Sequence, residues 1–135
     1  MTATLDHINL TVRDFREAVE WYGRVFGFEL VEEGVQDGVT WGVIRSGSSM
    51  LCIYEYGDSS FEAGKPRREA GFHAINHFAL RIEDVETWLK TLEREKLEVL
   101  YGGKVEWPHS DAWYVTDPTG WEIEVVHWRG GIAFG

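Results

Sequence analysis

A single cysteine, Cys52, in 135 residues leaves no room for an internal disulfide and gives no sign of an oxidising compartment. No apolar run approaches the length of a membrane span, and the start MTATLDHINL lacks the charged-then-apolar pattern of a secretory signal. Basic residues are scarce too: 13 Lys and Arg stand against 23 Asp and Glu, for a formal charge of −10. That balance argues against general nucleic-acid binding, which needs clustered cations. The one basic cluster, Lys65-Pro66-Arg67-Arg68, sits among Gly and Glu and reads as a solvated loop. These absences predict a cytoplasmic protein that binds neither membrane nor nucleic acid. What the chain does have is aromatic surface, 14% with seven Trp, enough to wall a small-molecule pocket or to fill a core.

The chain is also written twice. LDHINLTVRDFREAVEWY (5–22) aligns with INHFALRIEDVETWLKTL (75–92) at a constant offset of 70, pairing His7 with His77, Leu10 with Leu80 and Asp14 with Asp84. GFELVEEG (27–34) resembles KLEVLYGG (96–103) at an offset of 69, and LCIY (51–54) aligns with IEVV (123–126) at 72. Three pairings in one order imply a pseudo-two-fold domain; two copies are too few for a solenoid.

Each copy reads as βαβββ. In the first, a strand over 6–13 alternates Ile8, Leu10 and Val12 against His7, Asn9 and Thr11. Asp14 is the expected N-cap of a helix over 15–26 with Phe15, Val19, Tyr22 and Phe26 at helical spacing, ended by Gly27. Strands follow near 28–34, 39–45 and 49–56. The second copy predicts a strand at 76–82, a helix at 84–95 and strands at 97–102, 112–116 and 121–128, with Asp117-Pro118-Thr119-Gly120 as a turn. The expected organisation is one domain over 1–135, made of modules 1–57 and 75–135 joined by a linker, 58–74, long enough to act as a flap.

Strand parity sorts the chemistry. His7 shares a face with Asn9, His77 with Ala79 and Arg81, and Glu124 with Glu122, each opposite apolar neighbours. A carboxylate between Ile123 and Val125 is costly if buried without a partner. Two imidazoles and a carboxylate on strands of a small curved sheet make a ligand set for one divalent ion: Fe, Mn, Zn or Ni. His109 is read as a pocket residue, His73 and His127 as structural or exposed.

His7 in LDHINLTV, His77 in INHFALRI and Glu124 in DPTGWEIEVV resemble the vicinal oxygen chelate superfamily, which includes glyoxalase I, extradiol dioxygenases and fosfomycin-resistance enzymes. The resemblance spans essentially the whole chain, and the DPTGWEIE motif at 117–124 is its most specific part. It implies an α+β fold of two pseudo-symmetric βαβββ modules whose curved mixed sheets form a cup. The cup would hold a metal on His7, His77 and Glu124, with open positions that chelate vicinal oxygens of a small substrate. It further implies a homodimer with the cup shared between chains.

The repeat places Cys52 where a fourth ligand, the counterpart of Glu124, would stand in relatives similar to glyoxalase I. Cys52 is read first as a small buried hydrophobe, with a place in the pocket, and Glu55 as facing the other side of its strand. The three-ligand set resembles instead that of dioxygenases and fosfomycin-resistance enzymes. Tyr114, ten residues before Glu124, would orient or protonate a metal-bound oxyanion, and Glu122 or His109 would shuttle protons. Against ring cleavage, 49–56 offers no acid–base His; against phosphonate binding, only Lys104, Ser110 and Arg129 are at hand. The expected function is therefore a metal-dependent dioxygenase-, lyase- or isomerase-type reaction. A metal-free, antibiotic-binding resistance protein, with Trp41, Trp107 and Trp113 as its walls, and a fosfomycin-type thiol transferase are the alternatives.

Overall fold

A computed structural model describes residues 1–57, 61, 66, 69–71 and 73–134. Much of the expected linker, 58–74, and most of the basic cluster lie outside these residues. The chain divides into two compact units, Met1–Phe61 and Glu62–Gly135, and each is a four-stranded mixed sheet with a helix, an α+β fold.

In the first unit β1 (Ile8–Val12), α1 (Phe15–Phe26), β2 (Glu29–Gln36), β3 (Val39–Ser46) and β4 (Ser49–Glu55) build a sheet of order β1-β4-β3-β2. β1 runs parallel to β4, and the other pairs are antiparallel. Asp14 has the extended backbone of an N-cap, and its carboxylate accepts the Glu17 N–H at 2.9 Å. Gly27 closes α1 at φ 70°, where the left-handed backbone favours glycine. The buried stripe of α1 is Phe15, Ala18, Trp21, Tyr22 and Val25. It keeps the helical period but is rotated by about one position from the expected stripe, so Val19 and Phe26 sit at its margin. These side chains meet Leu10, Val12, Ile44, Leu51 and Ile53 in the unit's core.

The second unit repeats the design with β5 (Phe78–Arg81), α2 (Val85–Arg94), β6 (Val105–Glu106), β7 (Ser110–Thr116) and β8 (Glu122–Trp128), in the order β5-β8-β7-β6. Phe78, Trp88, Val115, Ile123 and Val125 form its core. The registers coincide with the repeat: Asn9 lies beside Cys52 on the parallel pair of one unit, and Ala79 beside Glu124 on the other.

One expected element is absent. Residues 97–102 form no strand, because the chain turns there with positive φ at Lys96, Tyr101, Gly102 and Gly103. Only Leu100 reaches β7, donating its N–H to the Tyr114 carbonyl at 2.8 Å, and the edge strand is reduced to two residues, Val105–Glu106.

Candidate functional site

The β7–β8 turn sets the phase of the site. One Asp117 carboxylate oxygen accepts the N–H groups of Thr119, Gly120 and Trp121 at 2.8–2.9 Å, and Gly120 takes φ 104°. This is the physical content of the Asp-Pro-Thr-Gly signal. β8 then starts so that Glu122 and Glu124 share one face while Ile123 and Val125 enter the core. β7 places Tyr114 opposite Glu124, and β5 begins just after His77.

These side chains converge. His77 Nε2 lies 3.1 Å from a Glu124 carboxylate oxygen, and Nδ1 faces Glu122 at 3.7 Å. Glu122 is buried, and its other oxygen accepts the Tyr101 phenol. The Tyr114 ring stands edge-on to His77 at 5.6 Å, and its hydroxyl accepts the Trp107 indole N–H at 3.2 Å. Burial pushes the Tyr114 phenol above its ordinary value; the Trp107 hydrogen bond opposes this, and the Glu124 carboxylate reinforces it. A cavity of ≈ 320 Å³ opens over the group, lined by Asn76, His77, Tyr101, Trp107, Tyr114 and Glu122 among others.

In the first unit His7 immediately precedes β1, and its Nδ1 pairs with the Asp6 carboxylate at 2.7 Å. Asn9 is exposed and Cys52 half-buried. Burial raises the Cys52 thiol above its usual value, and the charges of Asp6 and Glu32 add to the effect. Glu55 accepts the N–H of Phe15 at 2.6 Å, a carboxylate at the N-terminus of α1, where the helix dipole favours it. Trp41 stacks on Tyr54 at 6.3 Å and Tyr54 on Tyr56 at 6.0 Å.

Among the described residues no group of three or more His, Cys, Asp or Glu is arranged to hold a metal ion. The His77–Glu124 pair nonetheless fits a shared cation. Donors at about 2.1 Å from one ion, at tetrahedral or octahedral angles, stand roughly 3.0–3.4 Å apart, and these stand 3.1 Å apart. Both histidines have a carboxylate on the Nδ1 side, Asp6 at 2.7 Å from His7 and Glu122 at 3.7 Å from His77. A carboxylate hydrogen-bonded there is the outer partner that directs an imidazole to coordinate through Nε2, a distance that Asp6 meets and Glu122 approaches.

Of the residues singled out from sequence, the second unit brings together His77, Glu122, Glu124, Tyr114 and Trp107. His109 lies on the loop before β7 and lines an adjoining cavity. Trp113 is a correction: it is buried on the opposite face of β7 from Tyr114, beside Val125, because adjacent strand residues point to opposite faces. His73 is exposed, and His127 is half-buried on the face opposite Glu124. Sequence reasoning missed Tyr101, whose signal was the Tyr-Gly-Gly at 101–103, a turn mistaken for the end of a strand.

Residues 4–125 match the model of the Glyoxalase/Bleomycin resistance protein/Dioxygenase superfamily, and the chain belongs to that superfamily. The metallothiol transferase FosB of Staphylococcus epidermidis is 24% identical over 124 residues, spanning 90% of this chain and 80% of its own. Among solved structures, the glyoxylase/bleomycin resistance protein/dioxygenase domain from Frankia sp. EAN1pec matches with a TM-score of 0.80 at 15% identity, covering 98% of this chain and 96% of its own. The lactoylglutathione lyase from Agrobacterium tumefaciens has a TM-score of 0.67 at 25% identity, covering 93% and 94%.

Proposed function

We propose that the protein is a divalent-metal enzyme that chelates vicinal oxygens of a small substrate, in a dioxygenase-, lyase- or isomerase-type reaction. The observation that carries this reading is His77, whose Nε2 meets Glu124 at 3.1 Å while Nδ1 faces Glu122. His7, of this chain or of a second copy in a homodimer, is the third ligand in this reading, and Fe, Mn, Zn and Ni all suit two imidazoles and a carboxylate. The ion, when bound, supplies Lewis-acid polarisation of the substrate's oxygens.

The remaining work falls to side chains. Tyr114 keeps its proton at neutral pH, since burial raises its pKa, so it acts as a hydrogen-bond donor to a developing oxyanion. Glu122 or His109 carries protons to and from the pocket, and Asn9 contacts substrate. Cys52 keeps its thiol protonated and belongs to the pocket wall.

A metal-free binding role is favoured by one specific feature, the Trp41–Tyr54–Tyr56 stack. Thiol transfer to fosfomycin is suggested by the FosB relative. Catechols under oxygen, methylglyoxal with thiols, and fosfomycin with thiols separate these readings. Turnover of one substrate, abolished by a chelator and restored by one of the four metals, is expected. Tight binding without turnover, unaffected by chelator, overturns the enzyme reading.

A further inference from the structure

Arg129 stands just beyond β8 and is tied to one short stretch of chain. Its backbone N–H donates to the His109 carbonyl at 3.0 Å, and its guanidinium donates to the Trp107 and Pro108 carbonyls at 2.6 and 3.1 Å. The carbonyls of 107, 108 and 109 therefore all accept from a single residue. Another guanidinium N–H meets the Asp111 carboxylate at 2.5 Å, and Lys104 stands 4.0 Å from the same oxygen. Pro108 has no N–H to offer the loop, so an outside donor has reason to be there. An ion pair with a half-exposed guanidinium adds little to stability by itself. The planar fork on backbone carbonyls fixes geometry instead.

The clamped loop carries Trp107, whose indole N–H donates to the Tyr114 hydroxyl at 3.2 Å. An indole has a donor and no acceptor, whereas a phenol has one proton and two acceptor lone pairs. The Tyr114 oxygen must therefore accept from Trp107, and its single proton is left to point elsewhere. Tyr114 lies opposite Glu124 across the β7–β8 pair, and the two side chains are hydrogen-bonded. An ionised carboxylate can only accept, so the phenolic proton is directed to Glu124.

We propose that Arg129 is a positioning residue: by fixing the 107–109 loop it holds the Trp107 indole on the acceptor side of the Tyr114 hydroxyl, and so aims the phenolic proton at the Glu124 end of the site. Arg129 acts through Trp107 and Tyr114, not on a substrate. The proposal rests on the donor role given to Tyr114 in the function proposed above, while the geometry it invokes needs neither metal nor substrate. It also gives Arg129, one of the few cations at hand for gripping a phosphonate, a different task. Lysine is no substitute, because a single ammonium cannot reproduce the guanidinium's planar set of donors.

The test reads the indole N–H signals in NMR spectra of the full chain, with the Trp107 signal assigned by Trp107→Phe. Tyr114→Phe keeps the ring and removes the acceptor, so the Trp107 signal is expected to move upfield, as a proton leaving a hydrogen bond does. Arg129→Gln should move it the same way and broaden it. Arg129→Lys, which keeps the charge beside Asp111 and so spares the fold, should do likewise. Trp88, buried in the core of the same unit, should hold its signal in all three variants and report an intact fold. With a substrate turned over in the panel above, Arg129→Lys should lower kcat several-fold with KM and bound metal unchanged, and should add nothing to Tyr114→Phe. A Trp107 signal unchanged in both Arg129 variants, or unchanged in Tyr114→Phe, overturns the proposal. So does an effect on KM alone, or full additivity with Tyr114→Phe. Turnover of no substrate counts against the function proposed above, and the NMR outcomes still decide the clamp.

Discussion

Glu122 is the residue on which the proposed metal-binding role of His77 is most easily tested. Its carboxylate is held by Tyr101 on one oxygen and has the other 3.7 Å from His77 Nδ1, so under the proposed function it would favour coordination through Nε2 by closing to hydrogen-bond distance. Removing such an outer partner typically costs about 10–100-fold in metal affinity. Glu122→Gln should show a loss of that size in competition with a chromogenic chelator; unchanged affinity would mean that Glu122 does not orient His77. Tyr114 acts later. Tyr114→Phe should retain metal while turnover falls by on the order of 10²-fold or more. Its raised pKa has a sign that can be followed: the protonated phenol is favoured in the folded state, so its contribution to stability is complete below about pH 10 and lost as pH rises through the folded value. Tyr114→Phe should therefore remove part of the alkaline fall in stability seen in urea titrations. Cys52, its thiol raised by burial and then by Asp6 and Glu32, should react with iodoacetamide at pH 8 more slowly than free cysteine, and Cys52→Ser should leave metal content unchanged.

At the scale of elements, local packing explains what the repeat leaves uneven. β3 crosses α1 at Gly42, where an added Cβ would stand 2.7 Å from the Phe15 ring and 2.8 Å from the Glu32 carbonyl. Gly42→Ala is expected to destabilise by about 1–3 kcal/mol through overpacking, read as a lowered midpoint in urea with an unchanged slope. Most of this architecture was legible beforehand. The caps of α1, the parity that turns Glu55 to the other side of its strand from Cys52, and the equivalence of Cys52 with Glu124 all follow from period and register; that Glu55 meets the N-terminus of α1 emerged only from the fold. Residues 97–102 were not legible, because Leu97, Val99 and Tyr101 alternate like a strand while positive φ at Tyr101 through Gly103 turns the backbone away. Trp113 failed for a different reason: composition marks an aromatic, but only parity decides whether it lines a pocket, and Tyr114 holds the pocket side. Tyr101 was invisible because its reach to Glu122 depends on that unforeseen turn.

For the whole molecule, the repeat provides two units of like topology but unlike chemistry. The second carries a carboxylate where the first carries a thiol, and it has the two adjoining cavities. Among the described residues no helix is long and apolar enough to cross a membrane. A ligand that binds the folded state alone stabilises it by mass action, by about 2.7 kcal/mol at 100 times its Kd, so metal occupancy should register in global stability. The most direct measurement is therefore the metal content of protein purified without chelator, compared with Glu124→Ala and followed by thermal unfolding with added Mn, Fe, Ni or Zn. The account predicts close to one divalent ion per chain, a rise in midpoint with the fitting metal, and loss of both in Glu124→Ala. Less than about one ion per two chains, with no rise for any of the four metals, would contradict it.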